Sequence, residues 1–337
     1  MSSISLLVFN RDDIDGVVRL LRILGNIVDE SVVIDSSSPT KYGELINAIE
    51  GLGLSNVRVY RAIPMGYPDP LRAYGLSKVK TEYVLYLDTD EVPNRALIRD
   101  LRGFNEADGY EILFCECDRK SLLWHMHLFR RDSVTFRGIV HELLEIRGRV
   151  VRLPTRYFIL HIHGNDAIYY TYPHYFAMKY SVPELLIKKP YEVNLIRGEN
   201  LPSSLLGTLY LIFRRIFNIY MDSLRGGVES KEASWWNRYE LSLYMRYLVL
   251  PRWFRYFVDF LSRDVNVSGG VIKYLCLNDP GVVEDLTNTF TWDVPGYMVF
   301  AMLLIHRFIT GRCARNFNEV RGVFRELAKY LQLGARR

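Results

Sequence analysis

The first 90 residues alternate between short apolar runs and single amphipathic helices, and no other feature of the sequence limits the fold as much. Residues 4–9, 31–34, 57–61 and 83–87 read as strands. Between the first two, Ile14, Val17, Val18, Leu21 and Leu24 recur at helical spacing, with Asp12 or Asp13 as the N-cap and Gly25 as the stop. Residues 42–52 form a second helix pattern ending at Gly51 and Gly53, and residues 69–79 a third, shorter one. Strands joined by one helix each require a mainly parallel sheet with right-handed crossovers. The expected fold class is therefore α/β, a Rossmann-like mixed sheet flanked by helices. Such sheets bind ligands outside the carboxyl ends of their strands. Asn10, Asp35 and Asp88 each stand just past a strand end, which places them along one rim.

After Pro93 the pattern changes. A helix over 95–101 precedes strand-like runs at 110–117, 125–129, 143–146, 150–153 and 157–161, read as antiparallel additions to the same sheet. From about Tyr169 the chain reads helical and rich in aromatic residues. The change of character near 164–166 divides the chain into a ligand-binding α/β domain, 1–165, and a mainly helical region, 166–337. With 49% hydrophobic and 24% charged residues, the composition excludes a disordered chain. Net charge is +5, too mild to call for nucleic acid, and no nucleic-acid-binding module is recognisable. Four cysteines (Cys115, Cys117, Cys276, Cys313) are too few for a disulfide scaffold and are expected to be buried thiols in a reducing compartment. A single Gln leans towards a thermophile.

The sharpest local feature is the run Tyr83-Val84-Leu85-Tyr86-Leu87-Asp88-Thr89-Asp90-Glu91. A buried strand delivers three acidic residues within four positions onto a loop, where they repel one another. A divalent cation relieves that repulsion, and hard oxygen ligands suit Mg²⁺ or Mn²⁺. Such a cation would hold a diphosphate. The competing reading is a solvated acidic turn ahead of the next helix.

Together with three further motifs, this run resembles family 2 glycosyltransferases of the GT-A fold, in particular the branch that includes lipopolysaccharide core β-glucosyltransferases. The motifs are Val8-Phe9-Asn10-Arg11-Asp12-Asp13, Val32-Val33-Ile34-Asp35-Ser36-Ser37-Ser38 and Phe136-Arg137-Gly138-Ile139-Val140-His141-Glu142. Arg72 sits where the family carries a helix arginine. The likeness covers residues 4–163. It departs from the family at Ser37, where a Gly is usual, and at Arg11, where a Glu is usual. The resemblance implies a nucleotide-sugar donor, UDP- or GDP-linked, and inversion by single displacement. It implies that Asp35 contacts the nucleobase, Asp88 the ribose or donor phosphates, and Asp90 the metal, with Asn10 and Arg72 lining the donor site. Glu142 would be the catalytic base and His141 its neighbour in the site.

A base within reach of the acceptor hydroxyl is what glycosyl transfer requires. His161 and His163 share a strand face. By analogy with GT-A enzymes that complete the metal shell with a late His, His163 is the metal ligand and His161 the substitute. His125 and His127 repeat the spacing, followed by Arg130 and Arg131 as candidate acceptor or phosphate contacts.

Residues 165–337 hold 22 Lys+Arg against 16 Asp+Glu, a net of +6 that leaves −1 for residues 1–164. Residues 205–221 and 239–260 combine apolar and aromatic bulk with arginines. They suit a packed helical lid, and equally a helix lying on an anionic membrane surface. The expected partners are therefore a nucleotide-sugar donor and a glycan or lipid-linked acceptor, with peripheral membrane contact open. The start of the chain, lacking a basic leader, reads as cytoplasmic, at most peripheral on the inner membrane face. Two rivals remain: a sugar-nucleotide nucleotidyltransferase, and a non-catalytic membrane-peripheral protein that keeps the fold.

Overall fold

The computed structural model of the chain describes residues 2–65, 68–116, 121–136, 144–162, 275–292, 302–303, 306–307 and 309–334, with 273, 294 and 299. Strand β1 (Ile4–Asn10) is buried along its whole length, as a strand covered on both faces must be. It pairs in parallel with β2 (Glu30–Asp35) and with β4 (Tyr83–Asp88), and β2 pairs in parallel with β3 (Val57–Arg61). The helices between them start where the sequence supplies caps. Helix α1 (Ile14–Leu24) begins at Asp13, whose Oδ1 accepts the Gly16 amide at 3.0 Å. Helix α2 (Pro39–Glu50) begins earlier than its apolar spacing suggests, because Ser38 caps it and Pro39 is preorganised for the first turn. Helix α3 (Arg72–Lys78) precedes β4, and α4 (Arg95–Asp100) follows β5 (Glu91–Pro93).

The second half of the sheet is built by β6 (Gly109–Glu116) and β7 (Ser121–Arg130), an antiparallel pair, with β7 also antiparallel to β4. Strands β8 (Val134–Thr135) and β9 (Glu145–Ile146) form a separate two-stranded ribbon rather than joining the main sheet. Strands β10 (Val150–Arg152) and β11 (Phe158–His161) lie in succession on the edge of β6 and run parallel to it, not antiparallel. They behave as one strand along β6 interrupted at Pro154, which has no amide to donate. The nine-stranded sheet has the order β3-β2-β1-β4-β7-β6-β11-β5, with β10 beside β6. This is the α/β, Rossmann-like mixed sheet flanked by helices that was expected from the sequence.

Alternation along the strands feeds two cores. Ile4, Leu6, Val8, Val33, Leu85 and Leu87 face α1, α2 and α4. Leu7, Phe9, Val32, Ile34, Val84 and Tyr86 face α3 and a C-terminal cap. The cap contains α5 (Pro280–Thr289) and α6 (Phe317–Gly334). Leu277, Val283, Leu286, Phe290, Phe317 and Val320 of the cap share this second core with Ala62, Ile63 and Met65. The Thr287 hydroxyl accepts the Ile63 amide at 2.9 Å, and Lys78 reaches Glu284 at 3.0 Å. The boundary expected near residue 165, and the segments 205–221 and 239–260, lie outside the described residues. No helix among the described residues is long and apolar enough to cross a membrane.

Two cysteines depart from the expectation of thiols. Cys276 and Cys313 are joined in a disulfide, with Cα atoms 6.1 Å apart and 37 residues of separation. The bridge brackets α5, so it ties the cap that covers the sheet. Their spacing carried no signal of pairing, because the bridge depends on two turns that meet only in the folded chain. A loop of this length is worth about 4 kcal/mol in the chain-entropy treatment. Reduction should therefore lower the melting temperature by several degrees. Cys276→Ser should start from the lowered value and show no further response to reductant; equal melting with and without reductant in the parent chain would contradict the bridge.

Candidate active site at the sheet rim

Register brings the predicted residues to one edge. Asn10 is opposite Asp35, and Asp35 is opposite Arg61, all at the carboxyl ends of β1, β2 and β3. On the other side Phe9 is opposite Asp88 at the end of β4. Three inter-strand spacings separate Arg61 from Asp88, or about 14 Å. That is on the scale of an extended nucleoside diphosphate.

At the β3 end the rim is closed upon itself. Asp35 is fully buried, and both of its carboxylate oxygens have partners. Oδ1 accepts Asn10 Nδ2 at 2.7 Å and the Ser37 hydroxyl at 2.6 Å, while Oδ2 pairs with Arg61 Nη1 at 2.6 Å. Asn10 is equally occupied: its Oδ1 accepts the Asp13 amide at 3.2 Å. Asp12 takes a left-handed backbone, φ 62°, and its amide donates to Ser37 Oγ at 2.7 Å. These bonds lock the β1–α1 and β2–α2 loops together. Ser37, a departure from the family pattern, is therefore a working part of the lock.

At the β4 end the turn is fixed by its own acids. The Glu91 carboxylate accepts the Asp88 amide at 2.8 Å, and Tyr86 donates its hydroxyl to Asp88 Oδ1 at 3.1 Å. Arg19 donates to the Thr89 carbonyl at 2.8 Å. Gly16 lets α1 press against this loop, since a Cβ there would stand 2.7 Å from the Thr89 carbonyl oxygen. Burial, then the neighbouring Asp90, push the Asp88 carboxyl up to about 6. Burial and Asp88 hold the Glu91 carboxyl well above the usual range. The nearest cation is Arg72, 3.1 Å from Asp69 and stacked over the Tyr86 ring at 5.2 Å. Its burial disfavours the charge, but Asp69, Tyr86 and Asp88 more than offset this and keep it protonated.

His161 and Asp90 meet across the sheet, with Nε2 to Oδ2 at 3.1 Å. The pairing of β11 with β5, which sets His161 against Glu91, produces the contact. Phe114 packs against three imidazoles: His125 at 4.7 Å, His127 at 5.6 Å and His161 at 5.0 Å between ring centroids. His127 Nδ1 donates to the Tyr86 carbonyl at 3.1 Å, and its Nε2 is buried without a hydrogen bond. Burial pushes its imidazole down to about 3, so it is neutral. Among the described residues no three metal-ligating side chains converge. Asp90 with His161 is the nearest approach to a ligand set. Its carboxylate and imidazole donors suit Mn²⁺, and the crowding of Asp88, Asp90 and Glu91 is what a cation would relieve.

His141, Glu142 and His163 lie outside the described residues. Arg130 and Arg131 do not reach the rim. Strand β7 is antiparallel to β4 and sets Arg130 opposite Tyr83, at the far end of the sheet, where Arg130 faces Glu82 and Asp108 and Arg131 pairs with Asp132. Sequence reasoning missed Arg19 and Arg61, and it counted Glu91 among the crowded acids without foreseeing that it accepts the Asp88 amide. Arg61 was recognisable as a strand-end charge, and its register against Asp35 follows once β2 and β3 are paired. Trp292, which stacks on Arg61 at 4.0 Å, gave no signal because it arrives from the distant cap.

No family model matches the chain, and no curated protein matches it. Solved structures of Staphylococcus aureus TarS do. TarS 1–349 is 14% identical over 72% of this chain and 91% of that one, with a TM-score of 0.40. The same protein in complex with UDP gives 13%, 72%, 91% and 0.41, and a longer TarS structure 14%, 72%, 55% and 0.38.

Because Asp88 titrates above the ordinary carboxylate value, its contribution to stability is favourable at acid pH and is lost as pH rises through about 6. His127, depressed to about 3, has the opposite sign and loses its contribution as pH falls towards that value. The two offset each other between about pH 4 and 6, so variants are more telling than the parent curve. Asp88→Asn should stabilise the metal-free protein at pH 8 by about 1–2 kcal/mol, a figure discounted for partial exposure. The gain should shrink at pH 5, where the parent carboxyl already holds its proton. Equal melting temperatures at pH 8 would show that the acid is not penalised by its site.

Proposed function

We propose that the protein is a glycosyltransferase that moves a sugar from a nucleotide-sugar donor, UDP- or GDP-linked, to a hydroxyl of a glycan or lipid-linked acceptor. The observation that carries this reading is the ordered rim: Arg61, Asp35, Asn10 and Asp88 at the carboxyl ends of four adjacent parallel strands, with Asp90 in the turn after β4 and Arg72 at the start of α3. The donor lies along it, base towards β3 and diphosphate towards β4. Inversion proceeds by single displacement: the acceptor oxygen bonds to the anomeric carbon as its bond to the diphosphate breaks. The acceptor proton passes to Glu142, with His141 beside it.

Asp90 would hold Mn²⁺ or Mg²⁺, joined by His161 or by His163 two positions on. The cation supplies Lewis-acid stabilisation of the leaving diphosphate. The protein's own groups do the rest. Arg72 places a buried positive charge beside Asp88, where leaving-group charge develops. Tyr86, Glu91 and Arg19 hold the acidic turn rigid, so little reorganisation is left for the reaction itself.

Transfer or slow hydrolysis of a UDP- or GDP-sugar should depend on added Mn²⁺ or Mg²⁺. Asp90→Asn should lower turnover about 100-fold or more. Undiminished turnover in that variant would remove the metal assignment. In a thermal-shift panel, UDP or GDP with Mn²⁺ should raise the melting temperature. No response to any nucleotide would instead favour a non-catalytic protein.

A further inference from the structure

The carboxylate that the resemblance assigns to the nucleobase is already spent. Asp35 is buried, and its two oxygens are taken by Asn10, Ser37 and Arg61. What faces outward at this end is the arginine. Nη1 of Arg61 is used by Asp35 Oδ2 at 2.6 Å and by the Ser37 carbonyl at 2.8 Å. Its Nε and Nη2 donors make no hydrogen bond among the described residues, and the side chain keeps 21% of its surface exposed. The guanidinium lies over two rings, Tyr42 at 4.4 Å and Trp292 at 4.0 Å. An arginine held by an ion pair on one side and packed against two aromatic rings has little rotamer freedom left to lose when a ligand arrives. Its remaining edge is a fixed pair of donors.

We propose that Arg61, positioned by Asp35, Ser37, Tyr42 and Trp292, reads the nucleobase and selects bases that present a carbonyl acceptor, uracil or guanine, over cytosine and adenine. The inference rests on the nucleotide-sugar reading above and names its specificity-determining residue. A donor-only edge bonds the uracil O4, or the O6 and N7 of guanine. The exocyclic amines of cytosine and adenine would set donor against donor at the same place, so the fork loses the bond that the carbonyl would accept. Trp292 makes the C-terminal cap part of this specificity. It is anchored by Phe290, 5.2 Å away between centroids, which packs on Phe317 in the core.

The test is direct binding of UDP, GDP, CDP and ADP to the full chain with Mn²⁺, followed by calorimetry. UDP should bind at least about tenfold tighter than CDP, or GDP at least about tenfold tighter than ADP. Which of the two ratios is large identifies the base. Arg61→Lys keeps a positive charge for Asp35 but removes the fork, so the ratio should collapse to about twofold while diphosphate binding persists. Trp292→Leu should lower the ratio partway and is a second route if the lysine variant does not fold. Binding of CDP as tight as UDP together with ADP as tight as GDP would overturn the inference, as would a ratio unchanged in Arg61→Lys. Absence of binding by all four to the parent chain would instead bring down the nucleotide-sugar reading, and this inference with it.

Discussion

Three carboxylates forced together at the end of one buried strand govern the rest of this structure. Asp88, Asp90 and Glu91 follow a strand that is apolar and covered on both faces, so the turn cannot relax into solvent without unpairing β4. Like charges at this spacing repel, and burial adds to the penalty. The chain answers with local devices rather than with an arginine salt bridge to each acid. Glu91 caps the Asp88 amide, Tyr86 donates to Asp88, and Arg19 secures the intervening carbonyl. The acids are thereby held in place, Asp90 against His161, while burial and mutual repulsion raise the Asp88 and Glu91 carboxyls, the electrostatic setting of the proposed cation site.

The two ends of the rim solve opposite problems. At β3 the charge is neutralised internally: Asp35 is paired, Asn10 is saturated, and the arginine left over is rigid. At β4 the charge is left in excess. A ligand that is polar but uncharged at one end and polyanionic with a cation at the other matches this polarity along about 14 Å. A nucleoside diphosphate has that form. The cap that contains α5 and α6 is integral to the arrangement, because it shares the core on the α3 side of the sheet and delivers Trp292 to the arginine.

Much of this was readable in the sequence because parallel βα units announce themselves. Buried apolar runs at β1, β2 and β4, the half-buried alternating run at β3, and helix caps such as Asp13 and Gly25 between them located the first four strands and placed Asn10, Asp35 and Asp88 on one edge. What could not be read depends on contacts between distant residues. Strand direction in the second half of the sheet failed where Pro154 splits the strand beside β6 into two parallel pieces. Arg130 looked like a site residue only while the direction of β7 was unknown; its register puts it at the opposite end. The Cys276–Cys313 bridge and the approach of Trp292 to Arg61 span 37 and 231 residues, and no local pattern encodes either. Ser37 was legible as a departure from the family but not as the hydroxyl that ties Asp35, Asn10 and the Asp12 amide together.

The most direct measurement is electron paramagnetic resonance of Mn²⁺ titrated into the protein with UDP or GDP, with phosphorus coupling read at the bound ion. The account predicts a protein-bound Mn²⁺ signal showing coupling to diphosphate phosphorus, abolished by Asp90→Asn. Mn²⁺ that stays in its aqueous or free-nucleotide form at every protein concentration would contradict the claim that the acidic turn exists to hold a cation against a diphosphate.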